Sequence, residues 1–271
     1  MKNAEKKNIL VNVEGLKKSF KELCVLDDMS FRLGEGEILG IIGPSGSGKT
    51  TLLRCLDLLE TIEGGTITFG GPFGIRVGPS GELESINNSD SVNRIPEHMP
   101  SIVRRKIGFV FQSFNLWEDR SVLQNLTLAP RVVQGIPDKK AETRAEELLS
   151  RFGLKDKLLS KVWRLSGGQR QRVAIVRALM MEPALLLCDE VTSALDPVLA
   201  YEVLEMIRSL RDEGLTMIIV THHIEFVATL CDRIAYLNNG KFMQIDTPER
   251  LLKEPASEEI ANFLKILRIA G

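Results

Sequence analysis

The chain has 271 residues, 44% hydrophobic and 26% charged, with a formal net charge of −1. That composition is ordinary for a globular protein, leaves room for one large domain or two small ones, and excludes a globally basic nucleic-acid binder or any general attraction to an anionic bilayer. No stretch approaches the roughly twenty apolar residues of a spanning helix, and the charged start MKNAEKKNIL is followed by no apolar signal segment. The expectation is a cytosolic chain that meets a membrane only through a partner. Cys24, Cys55, Cys188 and Cys231 are widely spaced, show no CxxC pairing and lie mostly in apolar runs, which predicts small, reduced core residues.

Along the chain, the run Ile38 to Ile42 predicts a buried strand. It leads into Gly43-Pro44-Ser45-Gly46-Ser47-Gly48-Lys49-Thr50 and then a helical pattern over Thr51 to Leu59. This is GxxxxGK[ST] in the strand-loop-helix context that a phosphate loop requires. The glycines let backbone N–H groups turn inward around phosphates and the helix N-terminus adds its positive dipole end. Residues Gly43 to Thr51 are therefore the candidate nucleotide-phosphate site, with Lys49 on the β- and γ-phosphates and the Thr50 hydroxyl on Mg²⁺. The loop alone leaves a kinase, a GTPase and a transport ATPase open.

Gly70 to Pro100 is rich in Gly, Pro, Ser and Asn, which predicts a surface excursion or a partly ordered loop. A second strand is expected over Ile107 to Phe111. The stretch from about Ser113 to Trp163 has no strand-like run and predicts a helical subdomain inserted into the core, with one helix over Lys139 to Phe152. Leu165-Ser166-Gly167-Gly168-Gln169 opens a helix over Gln169 to Met181, where Ser166 can cap and the glycines permit close approach to an anion.

Ala184 to Cys188 predicts a buried strand ending in Asp189-Glu190, two acids at the carboxyl edge of the sheet where ligands of open α/β folds bind. Asp189 suits water-mediated Mg²⁺ coordination, and Glu190 suits orienting or deprotonating the attacking water. A helix over Leu199 to Glu213, strands at Met217 to Val220 and Ile234 to Leu237, and a helical tail from Thr247 to Gly271 complete an α/β pattern.

GPSGSGKT, Gln112 in FVFQSF, LSGGQ, LLLCDE, SALD and the Thr221-His222 pair stand in the order of the ABC transporter ATPases, and over nearly its whole length the chain resembles that family. The resemblance implies a single ABC nucleotide-binding domain: a RecA-like P-loop NTPase core with a mostly parallel sheet, an antiparallel β subdomain and an inserted helical subdomain. It further implies ATP and Mg²⁺ as ligands and a head-to-tail homodimer, in which Ser166, Gly167, Gly168 and Gln169 close over the nucleotide of the other subunit. Gln112 is similar to the family's glutamine that touches Mg²⁺ and the lytic water. Asp196 matches the loop that crosses the dimer interface, and Phe20 occupies the place of the adenine-stacking aromatic. His222 and His223 are adjacent and either suits the switch histidine, although the family places it directly after the threonine, which favours His222. Val191 stands where proline commonly follows the catalytic pair and His223 where an acid often follows; hydrolysis is expected to survive both.

Leu53 to Leu56 with Asp57 to Glu60, FVFQSFNLW from Phe109 to Trp117, NLTLAP from Asn125 to Pro130 and VTSALDPVL from Val191 to Leu199 resemble the polar amino acid importer branch. That branch implies permease subunits as partners, a solute-binding protein met indirectly, no nucleic acid, and a place at the cytoplasmic face of the membrane. An exporter or lipoprotein-release ATPase shares the ATP motifs and remains the alternative. A soluble ABC ATPase acting on nucleic acid or ribosomes would bring tandem domains, a coiled-coil insertion or a basic arm.

Overall fold

A computed structural model describes residues 8–86, 94–95, 100–193 and 195–270, with side chains described except at 94–95 and 268–270. Elements are numbered in chain order. The five predicted apolar runs become β3 (Ile38–Ile42), β8 (Ile107–Val110), β9 (Leu185–Asp189), β10 (Thr216–Val220) and β11 (Arg233–Asn238). With β12 (Lys241–Asp246) they form a sheet in the order β12-β11-β3-β10-β9-β8, parallel except for the antiparallel edge strand β12.

Continuous apolar strands are what a sheet covered on both faces demands. Alternate residues of β3, β9 and β10 enter different cores, because successive side chains of a strand point to opposite faces. Ile38, Ile42, Leu186, Cys188, Met217 and Ile219 join a helical core. Leu39, Ile41, Leu185, Leu187, Ile218 and Val220 join a second core shared with the antiparallel sheet.

That second sheet is built from β1 (Ile9–Phe20), β2 (Leu23–Gly34), β4 (Gly64–Phe69), β5 (Ile75–Val77), β6 (Leu83–Ser85) and β7 (Arg94–Ile95), in the order β2-β1-β4-β5-β6-β7. Helix α1 (Lys49–Leu56) buries Leu52, Leu53, Cys55 and Leu56 in the same core. The Gly70 to Pro100 stretch, expected as a surface excursion, thus supplies three short strands, and Phe73, Ile75, Val77 and Leu83 are buried among the core residues. Residues 87–93 and 96–99 of that expectation lie outside the described residues, as does Ala194 of the SALD motif.

The helical core is packed by α3 (Val122–Gln134) and α4 (Asp138–Arg151), both within the 113–163 stretch, and by α5 (Gly167–Leu179) and α6 (Pro197–Asp212). Shorter helices α2 (Pro100–Arg104), α7 (Ile224–Leu230) and α8 (Pro248–Lys253), with the terminal α9 (Glu258–Ala270), complete the chain. Both α5 and α6 begin two residues before the expected starts, because Ser166 and Asp196 act as N-caps. Ser166 Oγ accepts from the Gln169 N–H at 3.3 Å, and Asp196 Oδ1 accepts from the Val198 and Leu199 N–H groups at 3.0 Å with Pro197 at the first helical position.

One cysteine expectation is corrected. Cys55, Cys188 and Cys231 are buried, but Cys24 is exposed. It pairs with Ser19 at the turn end of the β1–β2 hairpin, on an edge strand with a sheet neighbour on one side only.

Candidate functional site

The site is assembled by strand register. Strands β3, β10, β9 and β8 are adjacent and parallel, with Val220 opposite both Ile41 and Asp189, and Val110 opposite Cys188. The residues that follow these strand ends, Gly43 to Lys49, Gln112, Glu190 and His222, therefore emerge along one carboxyl edge, where parallel α/β sheets hold ligands. There Lys49, Thr50, Gln112 and Glu190 line a cleft of about 360 Å³ together with Ser45, Gly46, Gly48, Thr51 and Val25.

The phosphate loop needs glycine where α1 begins. Gly48 has φ 106°, and a Cβ there would lie 2.8 Å from Leu26 Cδ2 and 2.9 Å from the Val25 carbonyl oxygen. Lys49 is buried and donates to the Gly43 and Pro44 carbonyls at 2.9 and 2.8 Å. Burial lowers its pKa, while the nearby Glu190 and Asp189 favour its charged form. Ser47 Oγ is buried without a hydrogen-bond partner among the described residues, inside a loop whose chemistry is anion acceptance.

Thr50 Oγ1 donates to Asp189 Oδ1 at 3.1 Å. Burial raises the Asp189 pKa above the ordinary carboxylate value, and the like charge of Glu190 pushes the same way. The Thr50 hydrogen bond, Arg54 and Lys49 oppose the rise. Beside it, Glu190 takes a left-handed backbone at φ 48°, a conformation that surroundings must hold in place. Its N–H donates to the Val220 carbonyl at 2.9 Å, its carbonyl accepts from the Ser193 hydroxyl at 3.0 Å, and its Oε1 lies 2.9 Å from His222 Nε2. His223 is exposed, caps α7 and donates its backbone N–H to Thr221 Oγ1 at 3.1 Å. Of the two histidines, His222 is the one that meets the carboxylate.

The remaining candidates stand outside the cleft lining. Ser166 and Gln169 form a reciprocal capping box at the start of α5. Gly168 is buried against α6, where a Cβ would come 3.0 Å from Leu199 Cβ and 2.9 Å from its Cδ2, and Gly167 faces Leu195. Asp196 is exposed at the start of α6. Phe20 is 44% exposed at the end of β1, with the Lys18 ammonium 4.8 Å from its ring centroid. Sequence reasoning missed Val25, which lines the cleft from a strand with no motif, and Arg54, whose charge reaches Asp189 from one turn into α1. The spacing of Arg54 four residues beyond Thr50 on a helix was an available signal.

The profile of the ABC transporter family matches residues 26–193. The chain is 43% identical over 255 residues to the L-cystine transport system ATP-binding protein TcyN of Escherichia coli, covering 94% of this chain and 97% of that protein. It is 40% identical over 256 residues to the arginine transport ATP-binding protein ArtM of Bacillus subtilis, covering 94% and 99%. A glutamine transport ATP-binding protein, GlnQ of Geobacillus stearothermophilus, is 40% identical over 247 residues, covering 91% and 94%. Among solved structures, a dimeric ATP-binding cassette in a post-hydrolysis state with ADP and Pi superposes with a TM-score of 0.73 at 30% identity, covering 88% of this chain and 98% of that one. The protein cbiO1 of Clostridium perfringens, part of the ABC transporter complex cbiONQ, gives 0.75 at 25% identity, covering 97% and 99%. With a phosphate loop, an acidic strand end and its histidine gathered on one sheet edge, this chain belongs to the ABC transporter family as an ATP-binding, ATP-hydrolysing domain.

Proposed function

We propose that the chain hydrolyses MgATP as a head-to-tail homodimer and energises uptake of polar amino acids through permease subunits at the cytoplasmic face of the membrane. Relatives named for cystine, arginine and glutamine transport support the substrate class. Among the described residues no helix is long and apolar enough to cross a membrane, so the membrane path belongs to partners, and a solute-binding protein is met only through them. The observation that carries the dimer is the division of the site. Lys49, Thr50, Gln112 and Glu190 share one cleft, whereas Ser166, Gly168, Gln169 and Asp196 lie outside it at the starts of α5 and α6. A second copy brings those helix starts, with their positive dipole ends, to the nucleotide.

The residues present fit the ligands. Lys49 exchanges its two loop carbonyls for β- and γ-phosphate oxygens, the phosphate-loop N–H groups take the remaining charge, and Phe20 stacks on the adenine. Thr50, Asp189 and Gln112 offer one hydroxyl, one carboxylate and one amide, the sparse set that hydrated Mg²⁺ prefers. When bound, the ion would neutralise charge building up on the phosphate oxygens. A cation also answers the accumulation of Asp189 and Glu190 in one buried corner. Glu190 accepts a proton from, or orients, the water that attacks the γ-phosphorus in line, and His222 holds the Glu190 carboxylate in place.

Glu190→Gln tests the reading. The phosphate loop is untouched, so ATP binding persists, while turnover falls by about 10²- to 10⁴-fold, the range of a general base. Size-exclusion chromatography with light scattering should then find a dimer with MgATP and a monomer without it. A monomer in MgATP with unchanged turnover would sink the assignment.

A further inference from the structure

Two consecutive residues just beyond Gln112 hold left-handed backbones: Phe114 at φ 60° and Asn115 at φ 50°. Side-chain-bearing residues keep such conformations only where neighbours over-determine them. They belong to a tight turn that contains Gln112, since the Phe114 N–H donates to the Phe111 carbonyl at 3.2 Å. The Asn115 N–H donates to the Ser113 carbonyl at 2.6 Å, and the Ser113 hydroxyl reaches Asn115 Oδ1 at 3.0 Å.

The grip on this turn comes from α5. The Arg177 guanidinium donates from one nitrogen to the Phe114 carbonyl at 3.0 Å and from the other to the Asn115 carbonyl. Among the described residues no carboxylate pairs with it, and burial pulls its pKa down. Two nitrogens of one rigid plane fix both carbonyls at once, whereas a lysine would meet them with a single point charge on a flexible stem. Two turns earlier on the same face of α5, the Arg170 guanidinium lies 5.9 Å from the Phe114 ring centroid while its Nε donates to the Leu165 carbonyl at 3.2 Å. Both arginines ride on the helix whose first turn is the Ser166-Gly167-Gly168-Gln169 cap.

We infer that Arg177 is a positioning residue of the hydrolytic site, which sets the place of Gln112 in the cleft by clamping the Phe114–Asn115 backbone to α5. This rests on the role given to Gln112 above. Its consequence is that α5, which presents its start to the nucleotide of the other subunit, also holds the loop that reads its own. A displacement of α5 that keeps both Arg177 hydrogen bonds moves the turn that carries Gln112.

The experiment is a four-way cycle of phosphate-release kinetics on the full chain with MgATP: parent, Gln112→Ala, Arg177→Lys and the double variant. A small misplacement of a positioned group costs rate rather than binding. Arg177→Lys is therefore expected to lower kcat about tenfold with KM for ATP within about twofold of the parent. In the Gln112→Ala background the same substitution is expected to change kcat less than about twofold, because the group it positions is gone. Unchanged kcat in Arg177→Lys overturns the inference, as does an equal loss in both backgrounds or a rise in KM matching the fall in kcat. Full activity in Gln112→Ala instead overturns the role of Gln112 and the inference with it. Should the lysine variant not fold, Arg177→Gln, which buries no charge, runs the same cycle with the same outcomes.

Discussion

Asp57, at the C-terminal end of α1, is 7% exposed, and burial raises its pKa from the ordinary 3.8 to about 7, with Arg104 pulling the other way. The folded protein thus holds this proton more tightly than the unfolded chain does. Below about pH 4 the carboxyl is neutral in both states and costs nothing. As pH rises toward 7 the unfolded chain ionises freely while the folded one resists, so stability falls, and above 7 the full penalty stands. At about 1.4 kcal/mol for each tenfold in proton affinity, the penalty at pH 8 is on the order of 4 kcal/mol. That is a large part of the 5–15 kcal/mol typical of a domain. Asp57→Asn keeps the shape and removes the charge. Urea unfolding at pH 5, 6, 7 and 8 is expected to show the variant gaining on the parent with each step, by roughly 2–4 kcal/mol at pH 8. Asp57 does not line the nucleotide cleft, so ATP turnover at 25 °C should be unaltered. Parallel stability profiles for the two proteins, or a variant weaker than the parent at pH 8, would refute the argument.

Two further outcomes follow from the same geometry. Gly48→Ala places a methyl 2.9 Å from the Val25 carbonyl at a backbone φ of 106°. It should cost about 1–3 kcal/mol of stability and raise the dissociation constant for ATP, which nucleotide titration by calorimetry reads directly; parent-like affinity would show that the loop can open without loss. An aromatic disulfide reagent should titrate a single thiol, Cys24, in the native chain. Cys55 and Cys188 are buried with pKa values pushed up to about 12, and Cys231 is pushed up likewise, so these three react only in denaturant.

What the sequence disclosed is what is local. The phosphate loop, the acidic strand end and the capping box of α5 are each contiguous, and their chemistry follows from residue type and spacing within eight residues. The five core strands were legible because a doubly covered sheet needs unbroken apolar runs. The meander from β5 to β7 was not, because strands of two or three residues between Gly, Pro and Ser carry no periodic signal. Cys24 was misplaced for a related reason: an apolar neighbourhood in sequence says nothing about which end of a hairpin overhangs the core. The resemblance favours His222 over His223, but the left-handed turn at Glu190 that accompanies its contact with His222 is announced by no pattern in LLLCDE.

The features that escaped sequence reading are those that join one local motif to another. Glu190 is oriented by His222 from the next strand, Asp189 is balanced by Thr50 and Arg54 from α1, and the Gln112 turn is held by Arg177 from α5. The hydrogen-bonded links span 32, 63 and 139 residues, so no short window of sequence contains them. The motifs supply the chemistry that any ATPase of this family needs, whereas the links decide how the pieces move together. The division of labour has a physical basis. Binding phosphate requires groups at fixed positions within one loop, but coupling hydrolysis to movement requires groups on separate bodies whose relative placement can change. Within this chain α5 is such a body: its first turn lies outside the cleft lining, its length packs the helical core, and its Arg177 holds the Phe114 and Asn115 carbonyls of the turn that carries Gln112.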